Sequence, residues 1–175
     1  RLHFITDPLE ARRGETEFLD TQIDDILQKA LPQAAQTWSQ HLSVFPVAGT
    51  IDISPDVCYG TFSGEIDSMQ ITNADMVIIV SAAEELDTPD GEKAPVCGPH
   101  SLALGAACTL DQWDRPIVGF INLCLQESNQ SDDVELDRLV SQAFREAHRL
   151  QSPTAAEDRR VDAATIFTHE IGHTL

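Results

Sequence analysis

The apolar run from Met76 to Val80 is the feature of this sequence that most restricts how the chain can fold. Its five consecutive residues are Met, Val, Ile, Ile and Val, so a strand formed there would be apolar on both faces and would need cover on both. Pro116–Leu123 is a second mostly apolar run. We therefore predict two buried strands, one within Asn73–Ala83 and one over Pro116–Leu123.

Shorter segments add further strands to the predicted sheet. Alternation predicts a strand at Leu2–Thr6, ended by an Asp-Pro turn, and a second at Thr50–Ser54. Ser101–Thr109 is rich in small residues and is predicted to be an edge strand. Between them, Glu84–Pro99 is acidic and rich in Pro and Gly, which predicts a surface loop.

Helical periodicity supplies the remaining elements. Apolar residues recur every three or four positions over Thr16–Leu42, which predicts a long amphipathic helix that Pro32 should kink or divide. Two more helices are predicted at Val134–Leu150 and Val161–Leu175, the latter with Asp162 as its N-cap. The order of elements predicts an α/β or α+β domain on a mixed sheet of about five strands.

The charge of the chain excludes one class of partner. Asp and Glu total 29 against 11 Lys and Arg, which gives a formal net charge of -18. A nucleic acid, itself a polyanion, would be repelled. We therefore expect no nucleic-acid function.

The four cysteines leave two interpretations open. Cys58, Cys97, Cys108 and Cys124 contain no Cys-x-x-Cys pair of the kind that binds a structural zinc. They could form two disulfides in an oxidising compartment, or remain buried thiols in a cytosolic protein. The sequence has no start methionine, no signal-peptide core and no membrane-spanning run of about 18 apolar residues.

The motif that carries chemistry is His169-Glu170-Ile171-Gly172-His173 in the last predicted helix. Residues i and i+4 lie on one face of a helix, so both imidazoles can reach one metal ion. Glu170 follows the first histidine and would lie beside the metal, where a carboxylate can act as general base toward a metal-activated water. The motif therefore predicts a zinc-dependent hydrolase.

A simpler interpretation of the same residues is a solvated helix face that binds nothing. The helical register and the apolar neighbours of the motif favour the metal site over it. The other histidines, His3, His41, His100 and His148, show no metal-ligand spacing and are expected to be ordinary surface or core residues.

Read together with the motif, the chain resembles the leishmanolysin family of metzincin metallopeptidases. The resemblance covers about 31–175 and lies in segments that follow in the family's order. These segments are Leu31–Ala34, Val57–Gly60, Ala74–Val80, Ala107–Cys108 with Asp111–Gln112, and Arg115–Asn122.

The resemblance implies a metzincin-type N-terminal subdomain with a twisted mixed sheet, a long backing helix and an active-site helix. It implies that His169 and His173 bind Zn²⁺ and that Glu170 is the catalytic base. It also implies disulfides Cys58–Cys108 and Cys97–Cys124. The edge strand would bind an extended polypeptide substrate through main-chain hydrogen bonds, by the residues Ser101, Leu102, Ala103, Leu104, Gly105, Ala106 and Ala107.

The sequence departs from the family pattern at its end. A metzincin supplies a third histidine beyond the motif's downstream glycine, followed by a Met-containing turn, and the sequence stops at Leu175 before that glycine. We therefore expect one partial catalytic domain that lacks the C-terminal subdomain. It would comprise strands and long helix (1–125), a linker and extra helix (126–160) that look longer than the family's usual passage, and the active-site helix (161–175).

Two functions from different classes follow. The first is a zinc metalloendopeptidase, of which this chain alone would bind zinc weakly and be inactive because catalytic zinc normally has three protein ligands. The second is a secreted or cell-surface adhesion or binding module that keeps the fold without turnover. Both imply a secreted or extracellular location, with any membrane attachment supplied by segments outside this sequence.

Overall fold

The computed structural model describes residues 1–88, 91–98, 101–125 and 163–174. The helices in chain order are α1 (Asp7–Glu10), α2 (Glu17–Asp25), α3 (Leu31–His41) and α4 (Ala163–Thr174), with a π-helical segment at Ile26–Ala30. The strands are β1 (Leu2–Ile5), β2 (Thr50–Ile53), β3 (Met69–Thr72), β4 (Met76–Ser81), β5 (Glu85–Asp87), β6 (Lys93–Pro95), β7 (Ala103–Leu110) and β8 (Pro116–Leu123).

The principal sheet is mixed, as the sequence predicts. Its four strands follow the order β1-β4-β8-β7; β1, β4 and β8 are parallel, and β7 runs antiparallel to β8. Among the strands that the structure describes, β7 has a neighbour on one side only. It is therefore an edge strand of the described sheet.

The central strand β4 is buried on both faces, as its uninterrupted apolar run predicts. Because strand side chains alternate, its residues divide between two cores. Met76, Ile78 and Val80 belong to a core that also contains residues of α2, α3 and α4. Val77 and Ile79 belong to a second core on the opposite face, formed with β2, β3 and the loop between them.

The long helix predicted over Thr16–Leu42 is interrupted just before Pro32. α2 ends at Asp25, a π-helical segment follows, and α3 begins at Leu31 with Pro32 in its first turn. Proline has no N–H and its ring clashes with the carbonyl four residues earlier, and both problems are relieved by the wider hydrogen-bonding of a π turn. No helix among the described residues is long and apolar enough to cross a membrane.

Three local structures differ from the sequence predictions. β2 pairs antiparallel with β3, a strand for which the sequence gives no prediction, and so stays outside the principal sheet. The predicted acidic loop contains the short hairpin β5–β6. The predicted Asp-Pro turn is the one-turn helix α1, since proline suits the first helical positions. The predicted linker, extra helix and Asp162 cap lie outside the described residues.

Two disulfides join the loops to the principal sheet. Cys58 pairs with Cys108 and thereby ties the 3₁₀ turn Val57–Gly60 to β7. Cys97 pairs with Cys124 and ties the chain after β6 to the end of β8. These are the pairs that the family resemblance implied.

A buried amide strengthens the same corner of the molecule. The side chain of Asn122 is fully buried, and its Oδ1 accepts hydrogen bonds from Ser81 Oγ and the Ala83 N–H, each 2.8 Å long. Its Nδ2 donates to the Ala83 carbonyl at 2.9 Å. Asn122 therefore fixes the chain that leaves β4 against the end of β8.

Candidate metal centre

The helix α4 carries the proposed site and is held to the sheet by its apolar face. That face consists of Ala164, Phe167 and Ile171, all buried in the core that α4 shares with α2, α3 and the sheet. The spacing of three and four residues places them on one side of the helix. His169 and His173 lie on the exposed side. The sequence therefore folds so that both imidazoles remain accessible.

The two histidines converge. Their Nε2 atoms are 3.0 Å apart and their ring centroids 4.7 Å apart, with the rings inclined at 76°. Two nitrogens that bind one tetrahedral zinc at about 2.0–2.1 Å would be about 3.3–3.4 Å apart. The observed separation is close to this value, so small ring rotations suffice for both nitrogens to bind one ion. The pair fits a zinc site.

Glu170 occupies a different side of the helix from the two histidines. It is 8% exposed and lies against Gly105 of β7. A Cβ at position 105 would lie 3.1 Å from Glu170 Oε2 and 2.8 Å from its carbonyl oxygen. Glu170 therefore lies against β7, on a different side of α4 from the two histidines.

A second close approach fixes the end of the helix. A Cβ at Gly119 of β8 would lie 3.0 Å from Thr174 Cβ and 2.9 Å from the Ala106 carbonyl oxygen. Thr174 itself is fully buried. Glycine is therefore required at two points where α4 crosses the sheet, at Gly105 and Gly119, because any side chain would push the helix away.

The predicted edge strand Ser101–Thr109 lies beside the site, although the regular strand spans Ala103–Leu110. The Cys124 N–H donates to the Leu102 carbonyl, and the register pairs Gly105 with Ile121. Hydrogen-bonded and non-bonded pairs alternate along an antiparallel ladder. The backbone polar groups of Ala103, Gly105 and Ala107 therefore point away from β8, toward the open side of the sheet.

Trp38, which lies on α3 within the long helix that periodicity predicts, is a neighbour of the site. Its indole Nε1 donates a 2.9 Å hydrogen bond to the Thr168 carbonyl. A Cβ at Gly172 would lie 3.5 Å from Trp38 Cζ2. No signal in the sequence joins residues 130 positions apart, so periodicity alone could not reveal this contact.

The described residues contain no group of three or more His, Cys, Asp or Glu side chains placed to hold a metal ion. His41 contacts the Thr37 carbonyl within its own helix, and His3 lies on β1. His100 and His148 lie outside the described residues. The described part of the chain thus provides two candidate ligands and one carboxylate.

One family of known proteins matches the chain. The family model for leishmanolysin peptidases matches residues 15–151, which is most of the 175-residue sequence. The matched region ends before His169, so the histidine pair is an observation independent of the match. No curated protein matches the chain.

Proposed function

The chain belongs to the leishmanolysin family of metallopeptidases, and on that premise we propose that it is part of a zinc-dependent metalloendopeptidase. In this proposal His169 and His173 are two zinc ligands and Glu170 is the general base. The observation that carries the proposal is the convergence of the two Nε2 atoms, 3.0 Å apart, beside a buried carboxylate. Its substrates would be polypeptides.

Zinc bound at the histidine pair would lower the pKa of a water molecule and polarise the peptide carbonyl. The protein's own residues would supply the remaining chemistry. Glu170 would accept the proton of the attacking water and return it to the amine that leaves. Its contact with Gly105 would hold the carboxylate beside β7, where the substrate would bind.

The substrate would bind as an additional strand on β7. The outward N–H and C=O groups of Ala103, Gly105 and Ala107 can pair with an extended peptide, and main-chain pairing of this kind depends little on the peptide's side chains. Such binding would place a scissile carbonyl beside Glu170, and is consistent with broad sequence tolerance.

The third protein ligand of such a site would come from outside the described residues. A catalytic zinc normally has three protein ligands and an open position, and the histidine pair supplies two. We therefore propose that the histidine pair needs a third ligand from outside the described residues before the site is active.

Peptidase assays on the full-length protein test this proposal. We expect Glu170→Gln to lower kcat on an unfolded protein substrate by about 10²–10⁴-fold, the usual contribution of a general base, while zinc still binds. His169→Ala should abolish stoichiometric zinc binding. The matched controls are Glu85→Gln and His41→Ala, which alter exposed residues and should leave both properties unchanged.

Chelation should remove the activity of the wild-type protein, and added Zn²⁺ should restore it. Equal hydrolysis by wild type and Glu170→Gln would refute the proposed base. Stoichiometric zinc binding without hydrolysis of any polypeptide would instead support a binding or adhesion module on the same fold.

We also propose that the protein acts in an extracellular or cell-surface setting, because both cysteine pairs form disulfides and such bonds persist in oxidising compartments. Intact mass before and after reduction, with alkylation, measures this on the protein from its natural source. Alkylation of the thiols without prior reduction would contradict it.

A further inference from the structure

Trp38 contacts the metal-binding helix at two backbone positions. It lies on α3 and is half-buried, and its Nε1 donates to the Thr168 carbonyl at 2.9 Å. Its Cζ2 and Cη2 atoms would lie 3.5 Å and 3.8 Å from a Cβ at Gly172. The ring therefore lies beside two successive turns of the helix.

These two positions have a simple relationship to the histidine pair. Thr168 immediately precedes His169, and Gly172 immediately precedes His173. In an α-helix the carbonyl of residue 168 also accepts the N–H of residue 172. A single indole thus contacts both ends of the helical turn that sets the distance between the two imidazoles.

The contacts are more specific than core packing requires. α3 already buries Leu31 and Ala34 in the core that it shares with α4. An apolar side chain at position 38 would add contact area but could not donate to the Thr168 carbonyl, as the indole N–H does. The indole N–H is a donor only, so this hydrogen bond has a defined direction.

Building on the function proposed above, we infer that Trp38 is a positioning residue of the metal centre. It acts through the backbone of Thr168 and Gly172 to hold the turn of α4 from which His169 and His173 project. Residues that orient metal ligands from outside the coordination shell influence metal affinity as well as activity.

Zinc affinity of the full-length protein tests this inference without any assay of activity. Trp38→Phe and Trp38→Leu keep an apolar side chain beside Gly172 but remove the indole N–H. We expect each to weaken Zn²⁺ binding about three- to tenfold, comparable to the loss of one hydrogen bond, in competition with a chromophoric chelator. The matched control is Trp113→Phe, which alters an exposed tryptophan in the β7–β8 turn and should not change the affinity.

A second measurement separates positioning from simple stabilisation. The visible absorption of Co²⁺ bound in place of zinc reports ligand geometry, and we expect the Trp38 variants, but not Trp113→Phe, to shift it. Unchanged affinity and unchanged Co²⁺ spectra in Trp38 variants that melt at lower temperature would overturn the inference and leave Trp38 a structural residue.

The two proposals fail in different ways. If the wild-type protein binds Zn²⁺ but hydrolyses no peptide, the peptidase proposal fails while the affinities still decide the role of Trp38. If wild type and His169→Ala bind Zn²⁺ equally well, the histidine pair is not the site and the inference about Trp38 fails with it.

Discussion

Gly105 of β7 and Glu170 of α4 lie against each other where the helix packs on the edge strand. A Cβ at position 105 would lie 2.8 Å from the Glu170 carbonyl oxygen, a distance that no side chain can tolerate without movement of the backbone. Glu170, the candidate base, can therefore lie this close to β7, the proposed substrate-binding strand, because residue 105 has no side chain.

Gly105→Ala is predicted to destabilise the protein by about 1–3 kcal/mol, as expected when a methyl group is forced into a packed interface. Gly172→Ala is the matched comparison. Its Cβ would meet Trp38 at 3.5 Å, an ordinary contact, and alanine within a helix is favoured over glycine by about 0.5–1 kcal/mol. The melting temperatures of the two metal-free variants should shift in opposite directions from that of the wild-type protein, down for Gly105→Ala and up for Gly172→Ala. An unchanged or higher melting temperature for Gly105→Ala would contradict the close approach of Glu170 to Gly105.

Asn122→Ala is predicted to cost about 2–4 kcal/mol of unfolding free energy, because it leaves the buried Ser81 Oγ and the partly buried backbone of Ala83 without their partner. Ser81→Ala removes one donor while Asn122 Oδ1 keeps the Ala83 N–H, so its cost should be about 1 kcal/mol. Urea denaturation measures both. Equal losses of unfolding free energy in the two variants would show that the Asn122 amide contributes no more to stability than its one hydrogen bond with Ser81.

Asp75→Asn is predicted to destabilise the protein near neutral pH by about 1–2 kcal/mol, the scale of hydrogen bonds to a charged group. Asp75 is buried and accepts from the Arg1 guanidinium and from the Val47 N–H. The Arg1 hydrogen bonds, and secondarily the Val47 N–H, hold the pKa of this carboxyl well below its usual range, against the opposing effect of burial. Arg1 is partly exposed, which limits the size of the effect.

The sign of the pH dependence follows from that lowered pKa. A carboxylate with a lower pKa in the folded state contributes its full stability above the unfolded pKa of about 3.9 and loses it as the pH falls further. The difference in melting temperature between wild type and Asp75→Asn should therefore be constant near neutrality and shrink below about pH 4. Asp67→Asn, at an exposed position, is the control. A gap that widened on acidification would exclude this account.

The two disulfides should contribute unequally to stability. Cys58–Cys108 closes a sequence separation of 50 and Cys97–Cys124 one of 27. In the chain-entropy model, replacing either pair by alanine costs about 3–4 kcal/mol, and the longer loop costs about 0.5 kcal/mol more. Urea denaturation of the two double variants measures the difference. A larger loss for the shorter loop would show that native contacts outweigh loop entropy.

Much of the fold could be predicted where one local pattern determines one structure. The apolar run of β4 implies cover on both faces, and the alternation of its side chains between two cores agrees with that. Pro32 must disturb a helix, and the π-helical segment lies directly before it. The histidine spacing likewise implies a shared helix face, on which the two imidazoles are found.

The remaining features depend on contacts between residues distant in sequence. Nothing in the segment Met69–Thr72 indicates that it pairs with β2, since four residues are too few to define a period. Glu170 lies against Gly105, 65 positions earlier in the sequence, and Trp38 donates to Thr168, 130 positions later. Such contacts arise only when the sheet and helices are assembled.

The edge of β7, which pairs with no other strand among the described residues, has a consequence for the behaviour of the protein in concentrated solution. A row of outward backbone groups suited to an extended peptide is equally suited to the edge of another copy, and unpaired edges are where β proteins begin to aggregate. The net charge of -18 opposes such encounters by mutual repulsion between copies. Acidification neutralises the carboxylates responsible, so self-association through this edge should rise as the pH approaches their titration range.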